Sequence, residues 1–121
     1  MKGTSVADDT RDTTGPLSDR QRLILKGICN GRTHAQIADA LGVSKSFVSN
    51  MLISSILPKL NVRRTYEACA LYGRSQGFLD AADRVETLRV PRPVDEAEEH
   101  MNYVLEEVAQ TFRNRAAELL P

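Results

Sequence analysis

Lys45, Ser46, Ser49 and Asn50 stand within six residues, and their spacings place them on neighbouring lines of one helical face. An Asn amide pairs bidentately with adenine, a Lys ammonium reaches guanine acceptors or a phosphate, and a hydroxyl bonds to either partner. Ser44 precedes them at a position suited to capping the helix. Upstream, Thr33, His34 and Gln36 fall where another helix would begin, and its unpaired N–H groups and dipole favour a phosphate. Downstream, Lys59, Arg63 and Arg64 supply cations for a polyanion's backbone. The bland alternatives are a solvated helix face for the first group, plain capping for the second and surface solvation for the third. Together the three groups offer the chemistry that a polyanion such as double-stranded DNA would require.

Other chemistries find little footing. His34 and His100 have no second ligand at metal spacing, so no metal is expected. No Gly-x-Ser-x-Gly elbow, glycine-rich phosphate loop or paired carboxylate set appears, so neither an enzyme nor a cofactor is expected. Cys29 and Cys69, the two cysteines, lie forty residues apart inside apolar-periodic segments and read as free core thiols. Phe47, a lone aromatic beside Val48 and Met51, reads as core instead of a base-stacking ring.

The elements that must position these residues are marked by dense punctuation. Ser18 with Gln21 is a capping-box pattern; Leu23, Ile24, Leu25 and Ile28 make an apolar stripe, and Gly31 ends the helix, about 19–30. Thr33 with Gln36 repeats the box, Ile37, Ala38 and Leu41 face inward, and Gly42 closes a second helix over 34–41. A third, about 45–57, carries Val48, Met51, Leu52 and Ile56 until Pro58 removes a donor, where it either stops or continues through a kink into Lys59 and Leu60. A fourth spans Tyr66 to Gln76 and ends at Gly77, and the mixed segment beyond Asp80 is open to a brief helix through Leu88. A long helix, about 95–120, follows Val90–Pro91–Arg92–Pro93, with Asp95 and Glu98 as its cap. No stretch alternates convincingly enough for a strand, so the expected fold is all-α. The domains expected are an arm over 1–16 read as disordered, a globular domain over 17–80, a linker over 81–94 and an amphipathic helix over 95–121.

Charge is divided in the same way. The chain is neutral overall, with 16 Lys plus Arg and 16 Asp plus Glu among 121 residues. Residues 17–80 nevertheless hold nine basic against four acidic side chains, and residues 81–121 hold five against nine. A basic middle suits a polyanion, and an acidic tail suits another task. The polar, acidic start lacks the apolar run of a signal peptide, and no apolar stretch has membrane-spanning length, so the expected location is cytoplasmic.

With those residues set out, residues 17–79 resemble the LuxR-type DNA-binding domain. The resemblance lies in Leu17–Ser18–x–Arg20, Ile24–Leu25, Gly31, Ile37–Ala38–x–x–Leu41–x–Val43–Ser44, Val48, Ile56–x–x–Lys59–Leu60–x–Val62, Ala68 and Gly77–Phe78–Leu79. It implies a four-helix module whose third helix reads the major groove, and frequent dimerisation on inverted half-sites through the fourth helix. The chain departs from the usual pattern at Gln21, where Glu is common, at Ser49, where Lys is common, at Met51, where His is common, and at Thr65, where Arg is common. Ser49 and the apolar Ile53 leave the reading surface less cationic than the resemblance implies.

In the tail, Met101, Val104, Leu105, Val108, Phe112 and Leu119 recur at intervals near three and four. Such a stripe needs a partner, either the back of the domain or the same helix of a second subunit; its many glutamates argue against a membrane. The expectation is a transcription regulator acting as a homodimer, with no room before Leu17 for a receiver or sensor domain. Two alternatives stand beside it: a module like region four of sigma factors acting with RNA polymerase, and an adaptor that binds another regulator and has lost its DNA contacts.

Overall fold

The computed structural model describes residues 13–121, so most of the expected N-terminal arm lies outside the described residues. Five helices and no strand occur among them: α1 (Asp19–Cys29), α2 (His34–Leu41), α3, α4 (Thr65–Glu86) and α5 (Glu96–Leu119). Helix α3 runs as Lys45–Met51, a π turn over Leu52–Ile56 and a final turn at Leu57–Lys59. The all-α expectation holds.

The helix ends follow from local chemistry. Ser18 and Thr33 each accept from the backbone N–H three residues on, while Gln21 and Gln36 reach back to the cap's own N–H, completing both capping boxes. Ser44 Oγ accepts from Phe47 N–H at 3.0 Å at the head of α3. Helices α1 and α2 close on glycines at positive φ, Gly31 (86°) and Gly42 (70°). The N–H groups that follow return to the last carbonyls: Arg32 to Gly27, and Val43 to Ala38. Asn61 plays the same part after α3, at φ 56°, with Val62 N–H bonded to the Leu57 carbonyl.

Helix α3 runs past Pro58, along the continuation into Lys59 that the sequence left open. Leu57 N–H bonds to the Leu52 carbonyl five residues back, and this wider turn carries the helix past the proline to Lys59. One boundary differs from the sequence expectation: Gly77 does not end α4, because the helix continues to Glu86. Ser75 and Ala82 are buried and Phe78 and Val85 half-buried along it, so the inward stripe persists beyond the glycine. The irregular segment before α5 is correspondingly short, and Asn102 holds it by accepting from Val90 N–H and donating to the Val90 carbonyl.

The described residues divide into two compact units, one ending at Tyr72 and including Leu120–Pro121, the other Gly73–Leu119. In the first unit, Ile24, Leu25, Val48, Met51 and Ile56 are wholly excluded from solvent. Leu120 joins this cluster at 4% exposure, and Leu17 N–H donates to the Pro121 carbonyl at 3.0 Å. Gln21 lies inside it as well. Its amide nitrogen donates to Ser55 Oγ at 2.7 Å, and its oxygen accepts from Ser18 N–H and from the Lys59 ammonium, both at 2.9 Å.

The second unit buries small residues: Ser75, Ala82, Ala109 and Ala116, with Ser75 Oγ donating to the Ala116 carbonyl at 3.1 Å. Phe78 and Phe112 meet with ring centroids 6.0 Å apart, and Arg113 pairs with Glu86.

The cysteines are not the free thiols expected from sequence. Cys29, the last residue of α1, forms a disulfide with Cys69 in α4, with Cα atoms 5.3 Å apart. Their separation along the chain concealed a pairing that only folding creates.

Candidate nucleic-acid interface

Helices α2 and α3 are joined by Gly42, Val43 and Ser44, and the chain bends by 106° between His34–Leu41 and Lys45–Lys59. That angle lies within the range of a helix-turn-helix. It is set from beneath: Ile37 and Ala38 of α2 and Phe47, Val48 and Met51 of α3 are all buried in the shared core. With those inward positions fixed, the periodicity of α3 leaves Lys45, Ser46 and Asn50 exposed, and Ser49 half-buried among them. Phe47 belongs to the core, as its neighbours suggested.

The first turn of α2 lies beside this face. His34 Nδ1 and Ser49 Oγ are 2.8 Å apart, joining two expected site residues from different helices. That contact occupies Ser49, whose hydroxyl now orients α2 against α3. Thr33 and Gln36 are exposed, but each is engaged in the capping box at 3.1 and 2.9 Å. Ser44 is exposed and spends its hydroxyl on the α3 cap.

The cations divide. Arg63 and Arg64 are exposed in the turn that enters α4, where their backbone N–H groups donate to Glu67 Oε1. Lys59, expected at a phosphate, instead directs its ammonium to the Pro16 carbonyl at 3.1 Å and to Gln21, within the first unit. The sequence reading overlooked Arg20. Its guanidinium lies 5.6 Å above the Phe47 ring while its residue stays exposed, which places a fixed charge beside the first turn of α3. The available signal was its place three residues after buried Leu17, within the Leu17–Ser18–x–Arg20 pattern.

On α5, Met101, Val104 and Val108 are exposed, whereas Leu105, Phe112 and Leu119 are half-buried. The stripe read from sequence is therefore partly consumed within the chain and partly open. No single helix among the described residues is long and apolar enough to cross a membrane. No cluster of His, Cys, Asp or Glu able to hold a metal occurs among them.

Residues 15–71 match the family model described as bacterial regulatory proteins, luxR family. The match runs from the segment before α1 into α4, so this part of the chain is a LuxR-type helix-turn-helix, a DNA-binding regulatory fold. No curated protein and no solved structure matches the chain significantly.

Proposed function

We propose that this chain, whose residues 15–71 form a LuxR-type domain, is a sequence-specific transcription regulator that places α3 in the major groove and acts as a homodimer. The observation that carries the reading is the 106° bend between α2 and α3, combined with exposed Lys45, Ser46 and Asn50 on the leading turns of α3. In this reading Asn50 addresses a base edge, Lys45 a guanine or phosphate, and Ser46 either. Arg63, Arg64 and Arg20 hold phosphates, and the N-terminal turn of α2, with Thr33 and Gln36, spans the DNA backbone. Ser49, His34, Ser44 and Lys59 act at one remove, by fixing the helices that present the others. The exposed Met101, Val104 and Val108 support pairing of two subunits through α5. Such a pair would hold two reading helices about 34 Å apart and prefer a palindromic site.

A second reading draws on Ile53, which is 65% exposed on α3 where a DNA-facing helix would favour polar groups. That side chain suits a protein surface, in which case the domain is an adaptor. Titration of the full chain onto labelled duplex at several salt concentrations distinguishes them. Each phosphate contact contributes about 0.9 to the slope of log affinity against log salt, and Asn50→Ala should relax preference at one base pair by about 1–3 kcal/mol. Equal losses on every sequence reassign Asn50 to backbone contact. Binding that is absent at low salt favours the adaptor.

A further inference from the structure

We propose that Cys29 and Cys69 are a reversible redox site whose closure tightens the DNA-binding unit; its consequence for DNA rests on the function proposed above. Three observations carry it. First, the bond joins the last residue of α1 to the second turn of α4, enclosing α2, α3 and the Arg63–Arg64 turn in one ring with a sequence separation of 40. Everything assigned to DNA contact, apart from Arg20, lies inside that ring. Second, both cysteines are half-buried at the rim of the core, whereas the fully buried side chains form a cluster of their own. A small thiol or peroxide reaches a half-buried sulfur more readily than a fully buried one. Third, α4 is weakly anchored in the first unit. Of its residues up to Tyr72, Ala68 alone is fully buried, while Leu71 and Tyr72 are only half-buried. A covalent tie is a large addition to so small an apolar foothold.

The sequence contains two cysteines in all, so within one chain the site has two end states, dithiol and disulfide. In the closing direction the oxidant is a peroxide. One thiolate attacks a peroxide oxygen, the O–O bond breaks, and a sulfenic acid forms with release of water or an alcohol. The second thiolate then attacks that sulfur, the S–O bond breaks, and the oxygen leaves as water after taking up a proton. In the opening direction a low-molecular-weight dithiol attacks one sulfur. The S–S bond breaks, a mixed disulfide forms, and the second thiol of the reductant resolves it as both protein sulfurs regain protons.

Closure reduces the freedom of the turn bearing Arg63 and Arg64 before DNA arrives, so less ordering remains to be done on binding. The oxidised form is therefore the tighter DNA binder.

The experiment uses the full chain in two states, treated with hydrogen peroxide or with dithiothreitol. Maleimide labelling counts the thiols in each, and the probe is a fluorescent duplex selected from a randomised pool with the oxidised protein. The expected result is no label on the oxidised form and two on the reduced form, with duplex affinity about tenfold weaker after reduction and restored by peroxide. The Cys29→Ser, Cys69→Ser double variant should bind like the reduced protein under both treatments. Circular dichroism on the same samples checks that each remains folded. Equal affinity of the two labelled states overturns the switch and leaves the DNA reading intact. Duplex binding by neither state overturns both. A pair that dithiothreitol cannot open in the folded protein, with labelling only in denaturant, overturns reversibility.

Discussion

The two units bury different kinds of side chain. The first excludes Ile24, Leu25, Val48, Met51 and Ile56 completely and wraps them around a satisfied polar knot at Gln21. The second is closed by Ala82, Ala109 and Ala116 and leaves Met101 at 53% exposure and Val104 at 43%. Burial of large aliphatic groups supplies most of the free energy of folding, so the first unit is organised to stand by its own packing. The second leaves apolar surface open to solvent. Within one chain, the two units thus differ in where their large hydrophobic residues point.

The sharpest way to break that contrast is Ile24→Ala, expected to destabilise the first unit by about 3 kcal/mol through lost burial and an unfilled cavity. A melting temperature that hardly moves would mean this core is loosely packed and the contrast false. Gln21→Ala should cost about 2 kcal/mol, because buried Ser55 loses a partner and the half-buried Lys59 ammonium and Ser18 N–H each lose one. Urea unfolding measures it, and a neutral result would show that water takes the amide's place. Thr33→Ala removes one cap and should cost about 1 kcal/mol. Its amide exchange should quicken at the start of α2 and stay unchanged in α1. Met101→Ser should be smallest in stability, within about 0.5 kcal/mol, yet shift the solution mass toward monomer. If the mass is unchanged and the unfolding midpoint falls, the exposed face of α5 serves its own unit.

Local signals were the most legible in the sequence. Ser18 with Gln21, Thr33 with Gln36, Gly31 and Gly42 act over three or four residues, so their spacing defines helix ends without reference to the rest of the chain. The outward face of α3 was legible for the same reason, since Val48 and Met51 determine which side remains exposed. Gly77 misled because glycine permits a stop without requiring one, and Phe78, Ala82 and Val85 had already continued the inward stripe. Lys59 misled in another way. A cation near a polyanion-binding surface suggests a phosphate, but the neutral Gln21 carboxamide beneath it and the Pro16 carbonyl offer acceptors visible only in three dimensions. The Cys29–Cys69 bond and the return of Leu120 to the first core are likewise products of distant segments meeting.

That return has a consequence during synthesis. Leu17 and Pro121 are joined by a backbone hydrogen bond, and Leu120 fills the same hydrophobic cluster as Ile24. A nascent chain that has emerged from the ribosome only through α4 therefore exposes an unfinished edge beside Leu17, and must wait for residue 120 to clear the exit tunnel before that edge is sealed.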